Sequence, residues 1–123
     1  GLFDPTTGVY WASDSFATPM LHPVRDVDEL DTDFWANGIA TFSQYVSPWV
    51  SLVDLDRYRA TVDRIVALAP SVIAGCHTPM IRGGRVAAAL DVTRRTPELT
   101  VEPEPGQALL DEIQRAIAAS VAA

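Results

Sequence analysis

Apolar residues along this chain recur with two spacings, and each spacing predicts a different kind of element. Leu2-Phe3 and Val9-Tyr10-Trp11-Ala12 are short continuous runs on either side of Asp4-Pro5-Thr6-Thr7-Gly8. A loop that begins with proline and closes with glycine reads as a hairpin turn of five residues. The run over 9–12 is dense in β-branched and aromatic side chains, which predicts a buried strand. Val72-Ile73-Ala74, just after Pro70, predicts a second buried strand that a helix feeds into. Elsewhere the period is helical. Trp35, Ile39, Phe42 and Val46 share one face, with Asp31 or Thr32 as the cap and Pro48 as the stop. Leu55, Tyr58, Val62, Ile65 and Ala69 define a second helix between Asp54 and Pro70. A third runs over roughly 85–94, opened by Gly83-Gly84, with Val86, Ala89, Leu90 and Thr93 inward. A last one starts at Pro105 and carries Leu109, Leu110, Ile113, Ala116 and Ile117 on one side. Residues 17–30, with Pro19, Pro23 and the acids Asp26, Asp28 and Glu29, read as loop. Residues 97–106 read as a linker rich in Pro and Glu, with a short strand at 99–101.

The order is therefore hairpin, long loop, helix, helix, strand, helix, helix. These strands are too few for a self-sufficient sheet of ordinary size, and the helices present more apolar surface than such a sheet covers. The expected class is α/β, layered in the α+β manner, as part of a larger structure. The expected organisation is a body over 1–96, a linker over 97–105, and a helix over 106–123 packed on the same body.

Composition narrows the function. At 123 residues the chain is long enough for one core and too short for two. A hydrophobic content of 48% and a mean hydropathy of +0.12 fit a globular domain. Sixteen acids face nine bases, all of them Arg, for a net charge of −7. That balance argues against nucleic-acid binding, which needs clustered positive charge. No apolar run approaches the length of a membrane span, and no signal peptide is evident. The single cysteine excludes an internal disulfide and fits a reducing, cytoplasmic setting. Gly1-Leu2-Phe3-Asp4-Pro5 is apolar at once, as expected of a cleavage scar or of a chain that starts inside a domain.

Two candidates for chemistry stand at strand ends: Asp14 after 9–12, and His77 after Val72–Ala74. If the strands share a sheet edge, a carboxylate and an imidazole converge there, a pair that suits Fe, Mn or Zn, and the carboxylate can bridge two ions. Plainer readings stand beside this one. Asp14, flanked by serines, can cap its own turn, and His77 can simply hydrogen-bond its loop, which on that stretch alone is the commoner case. Cys76 alternates with His77 along the strand, so it is expected in the core. His22, between Leu21 and Pro23, is expected to face solvent. No catalytic side chain and no organic-cofactor site are expected.

Leu2 to Phe16, with Asp4-Pro5, Gly8 and Ser13-Asp14-Ser15-Phe16, resembles the metallo-β-lactamase-like domain of flavodiiron proteins. So do Trp35-Ala36-Asn37, Phe42-Ser43 and Ser47-Pro48, and so does Val72-Ile73-Ala74-Gly75-Cys76-His77, which is similar to the strand leading to that family's last ligand histidine. The resemblance covers roughly 2–82, and the sixty-three residues from Asp14 to His77 match the family's interval of about sixty. It implies that Asp14 bridges two irons and that His77 binds one of them. The chain departs from the family in three ways. The His-x-Glu-x-Asp-His loop and a further upstream His are absent, Thr78-Pro79 stands where the family often has Gly, and no flavodoxin-like sequence follows. The resemblance thus implies a partial αββα fold, the C-terminal half of such a domain.

Three functions follow as expectations. The first is a piece of a non-haem di-iron protein that binds or reduces dioxygen or nitric oxide, inactive as this chain alone and weakly loaded with metal. Its partners would be the missing N-terminal half or further copies of itself, with a separate flavoprotein as electron donor. The second is a hydrolase of the same fold with a dinuclear zinc site. The third is a non-enzymatic interaction half, suited by acidic charge and exposed apolar faces.

Overall fold

The computed structural model describes residues 1–20, 22–101 and 106–121. Asp4 closes the first turn as the spacing predicts. Its carboxylate accepts from the Thr6 N–H (2.9 Å) and the Thr7 hydroxyl (2.7 Å), while Gly8, at φ 70°, donates its N–H to the Asp4 carbonyl (2.8 Å). These bonds hold the Asp4 carboxyl below its usual range, the Thr7 hydroxyl being the larger cause. Strands β1 (Leu2–Asp4) and β2 (Val9–Trp11) pair antiparallel across this turn, Phe3 opposite Tyr10. The chain then crosses through two helices to β3 (Val72–Ala74), which lies parallel to β2 with Tyr10 opposite Ile73. Strand β4 (Ile81–Arg82) pairs antiparallel with β3, Ile73 opposite Ile81. The sheet order is β1-β2-β3-β4.

Helix α1 (Thr32–Val46) begins where Asp31 accepts from the N–H groups of Asp33 and Phe34, and it stops before Pro48. Helix α2 (Leu55–Ala67) is capped by Asp54, which accepts from the Arg57 N–H. Helix α3 (Gly84–Arg95) follows Gly83, whose φ of 54° suits a residue without Cβ. Trp35 and Ile39 from α1, Val62 from α2 and Val86, Ala89 and Leu90 from α3 share one core with Ile73, Ile81, Phe16 and Val27. The expected faces hold at their centres and fade at their ends. Phe42, Tyr58 and Ile65 are half-buried, whereas Val46 and Leu55 are exposed, and Ala69 lies beyond α2 at φ 49°.

Side chains alternate along a strand, so Phe3, Tyr10, Ile73 and Ile81 form a row facing the helices. Leu2, Val9, Trp11, Val72 and Ala74 belong to the opposite face, where Leu2 is 69% and Trp11 54% exposed. The run over 9–12, expected as a buried strand, is therefore buried on one side only, because the helices cover one face of the sheet.

Several expectations are corrected. Within the expected loop, Val27–Glu29 forms a 3₁₀ turn with a capping box: Asp26 accepts from the Asp28 N–H and the Glu29 carboxylate from the Asp26 N–H. Residues 99–101 form no strand. Gln44 donates to the carbonyls of Thr96 (2.9 Å) and Leu99 (2.7 Å), which ties this segment to α1 and leaves Leu99 and Val101 packed against the core. Positions 102–105 of the expected linker, including Pro105, and the last two positions of the expected final helix lie outside the described residues. Helix α4 (Gln107–Val121) presents Leu109, Leu110, Ile113 and Ile117 at 43–58% exposure. No helix among the described residues is long and apolar enough to cross a membrane.

Candidate metal centre

The parallel pairing of β2 and β3 puts the carboxyl ends of both strands at the same sheet edge. The ladder runs one step past β2, where the Ala12 N–H donates to the Ala74 carbonyl (2.8 Å). Residues 13–16 then turn sharply, with Ser13 at φ 55° and Phe16 at φ 63°. Burial of Phe16, edge-on to Tyr10 at 6.5 Å, anchors the turn and leaves Asp14 at its exposed tip. After β3, Gly75 passes so close to this turn that a Cβ would stand 2.9 Å from the Ser13 carbonyl oxygen. The Cys76 N–H donates to that same oxygen (2.8 Å), so the two strand-end loops are tied together.

The structure brings the two expected site residues together. His77 Nε2 lies 3.4 Å from Asp14 Oδ1, with the side chains 59% and 68% exposed. A charge-assisted hydrogen bond between such groups is usually nearer about 2.7–2.9 Å. Two ligands with bond lengths of about 2.0–2.2 Å on one tetrahedral ion stand roughly 3.4 Å apart. The donor types and their spacing thus fit two neighbours in a coordination shell. No group of three or more His, Cys, Asp or Glu able to hold a metal occurs among the described residues, where this pair supplies two donors.

The Phe42 ring lies 6.2 Å from the His77 imidazole, tilted by 39°. A cavity of about 570 Å³ opens on the Asp14 side, against Phe16, Val46, Trp49 and Tyr58. A second, of about 400 Å³, opens on the His77 side and is lined by Thr18, Met20, His22, Phe42 and Cys76. His22 is exposed and shares that cavity with His77. Cys76 is exposed too, against the expectation of a core position. Ile73 faces the core and Ala74 the open face of the sheet, so alternation carried on past β3 puts Cys76 on the open side as well. Sequence reasoning also missed Thr18, which is buried and donates its N–H to the His77 carbonyl (3.1 Å). No local pattern marks it, since its neighbours in sequence read as loop.

No protein-family model and no curated protein matches this chain. A solved structure does: rubredoxin oxygen:oxidoreductase from the anaerobe Desulfovibrio gigas, at 16% identity and a TM-score of 0.65. The likeness shows the fold. It covers 78% of this chain and 24% of that one, so the chain spans about a quarter of the similar protein. The arrangement of helices on a four-stranded mixed sheet is α/β, a partial metallo-β-lactamase-like fold.

Proposed function

We propose that this chain is part of a non-haem di-iron protein of the flavodiiron type, one that binds or reduces dioxygen or nitric oxide. The observation that carries the reading is the 3.4 Å approach of His77 Nε2 to Asp14 Oδ1 at the ends of two parallel strands. The likeness in fold to an oxygen oxidoreductase supports it. Two irons, when bound, supply open positions for a diatomic ligand and a change of oxidation state.

The roles of this chain's own residues follow from their chemistry. Asp14 carries two carboxylate oxygens at the exposed tip of a turn and would serve as a ligand shared by the irons. His77 offers a ring nitrogen from a loop tied to the same turn through Cys76 and Ser13. The Phe42 ring of α1 stands beside the imidazole, 6.2 Å between centroids. The remaining ligands come from an N-terminal half outside this sequence, and electrons from a separate flavoprotein. Alone, the chain holds metal weakly, because affinity rises with ligand count and outer support. The exposed sheet face with Leu2 and Trp11 is the surface that the missing half, or a second copy of the chain, would cover.

Metal analysis of the protein that joins this chain to its missing half tests the reading. Iron at the site, lost in Asp14→Asn, supports it. Zinc with hydrolytic activity supports the hydrolase of the same fold instead.

A further inference from the structure

We propose that Thr18, seated in a notch at Gly38 of α1, is a positioning residue that sets His77 against Asp14. Thr18 is 2% exposed within a stretch otherwise short of regular structure. Its hydroxyl donates to the Trp35 carbonyl on α1 (3.2 Å), and its N–H donates to the His77 carbonyl (3.1 Å). One residue therefore links the helix layer to the backbone of the imidazole loop. A β-branched side chain is stiff about χ1, so the link holds one geometry.

Gly38 explains the fit from the helix side. Glycine is disfavoured in a helix interior, yet it stands in the middle of α1. A Cβ there would fall inside van der Waals contact of Thr18 Cγ2, with Thr18 Cβ and Oγ1 both at 3.2 Å. The absent side chain makes the seat. Phe42, one turn further along, is the second point at which α1 meets the imidazole. The loops of Asp14 and His77 are joined directly where the Cys76 N–H meets the Ser13 carbonyl, and Thr18 adds a second tie that reaches α1. A shift of α1 against the sheet is thus passed to the His77 loop through Thr18. Sites of this kind work only when held within about 0.5 Å of the productive geometry. Loss of such supporting contacts typically costs about 10–100-fold in metal affinity.

The name of positioning residue rests on reading His77 as a ligand, but the test requires no metal. The chain has two histidines, so the imidazole protons of His77 can be followed by NMR in the full chain with chelator present. The readout is the set of nuclear Overhauser cross-peaks between the His77 imidazole and the Phe42 ring. Gly38→Ala is expected to abolish them while the helical circular dichroism persists. Adding Thr18→Ser to Gly38→Ala removes the clashing Cγ2, keeps the hydroxyl, and restores the cross-peaks. Thr18→Ser alone keeps them. Thr18→Val, of the same shape but without the bond to Trp35, loses them, and this pair carries the test if Gly38→Ala does not fold. Cross-peaks unchanged in Gly38→Ala and Thr18→Val would overturn the proposal. So would failure of Thr18→Ser to rescue a folded Gly38→Ala variant.

Discussion

Tyr10 and Trp11 are adjacent in one strand, as Ile73 and Ala74 are in the next, yet the two members of each pair meet different surroundings. Tyr10 and Ile73 face the helices and join the core. Trp11 and Ala74 face outward with Leu2, and Trp11 is more than half exposed. Both faces carry side chains of the kind that core strands use, but only one is covered. Burying a large apolar side chain fully contributes about 1.5–3 kcal/mol, so a cover over Leu2 and Trp11 would add a sizeable share of a domain's usual margin of about 5–15 kcal/mol. The inner face thus accounts for the cohesion of this chain, and the outer face is the surface that a partner of the proposed kind would cover.

Substitutions on the two faces should separate widely. On the inner face, Ile73→Ala is expected to cost about 2–5 kcal/mol, read as a lowered urea midpoint. A loss below about 1 kcal/mol would mean that this row is not the core. On the outer face, Trp11→Ala in the chain alone is expected within about 0.5 kcal/mol of the parent. Once the face is covered in the assembled protein, the same change should cost about 3–5 kcal/mol. Equal costs in the two settings would dissolve the contrast. Sedimentation gives a further view: the parent chain should associate as concentration rises, and Leu2→Glu with Trp11→Glu should hold it monomeric.

The strand-end pair belongs to neither face and should behave differently from both. Asp14 and His77 are exposed, so Asp14→Asn or His77→Gln is expected to change chain stability by less than about 1 kcal/mol. A larger loss would make the pair a structural tie. The smallest effect is expected on the helix layer. There the Arg94 guanidinium donates to Asp63 (2.8 Å) and holds its carboxyl below the usual 3.8. A carboxyl whose pKa is depressed by folding adds stability above its unfolded value, and that stability is lost as pH falls through the folded value. Melting curves taken from about pH 6 down to about pH 3 should therefore fall less steeply in Asp63→Asn than in the parent.

What was legible in the sequence follows from the range of the forces involved. The hairpin, the helices at α1, α2 and α3 and the strand at β3 are written in local signals: Asp4 with Gly8, the caps Asp31 and Asp54, the stops Pro48 and Pro70. The capping box at Asp26 and Glu29 was equally local and could have been read from its spacing. Strand β4 could not, because two residues acquire strand character only by pairing with β3 across Pro79. Burial of 9–12 was overestimated since composition reports what a strand can bury, and only tertiary structure reports what covers it. At the site, Asp14 and His77 were visible as ligand types at strand ends, and the parallel pairing that joins those ends supplied their meeting. Thr18 and Gly38 stayed hidden because their fit is a contact between distant segments, with no periodicity to mark it.

The central claim is that Asp14 and His77 are iron ligands of a di-iron centre completed by the missing half. Iron analysis after anaerobic purification of the assembled protein tests it most directly, with Asp14→Asn and His77→Gln beside the parent. The expected result is about two irons per polypeptide in the parent, a marked loss in both variants, and little retained metal in the 123-residue chain alone. Stoichiometric zinc in the parent, or iron unchanged by both substitutions, would contradict it.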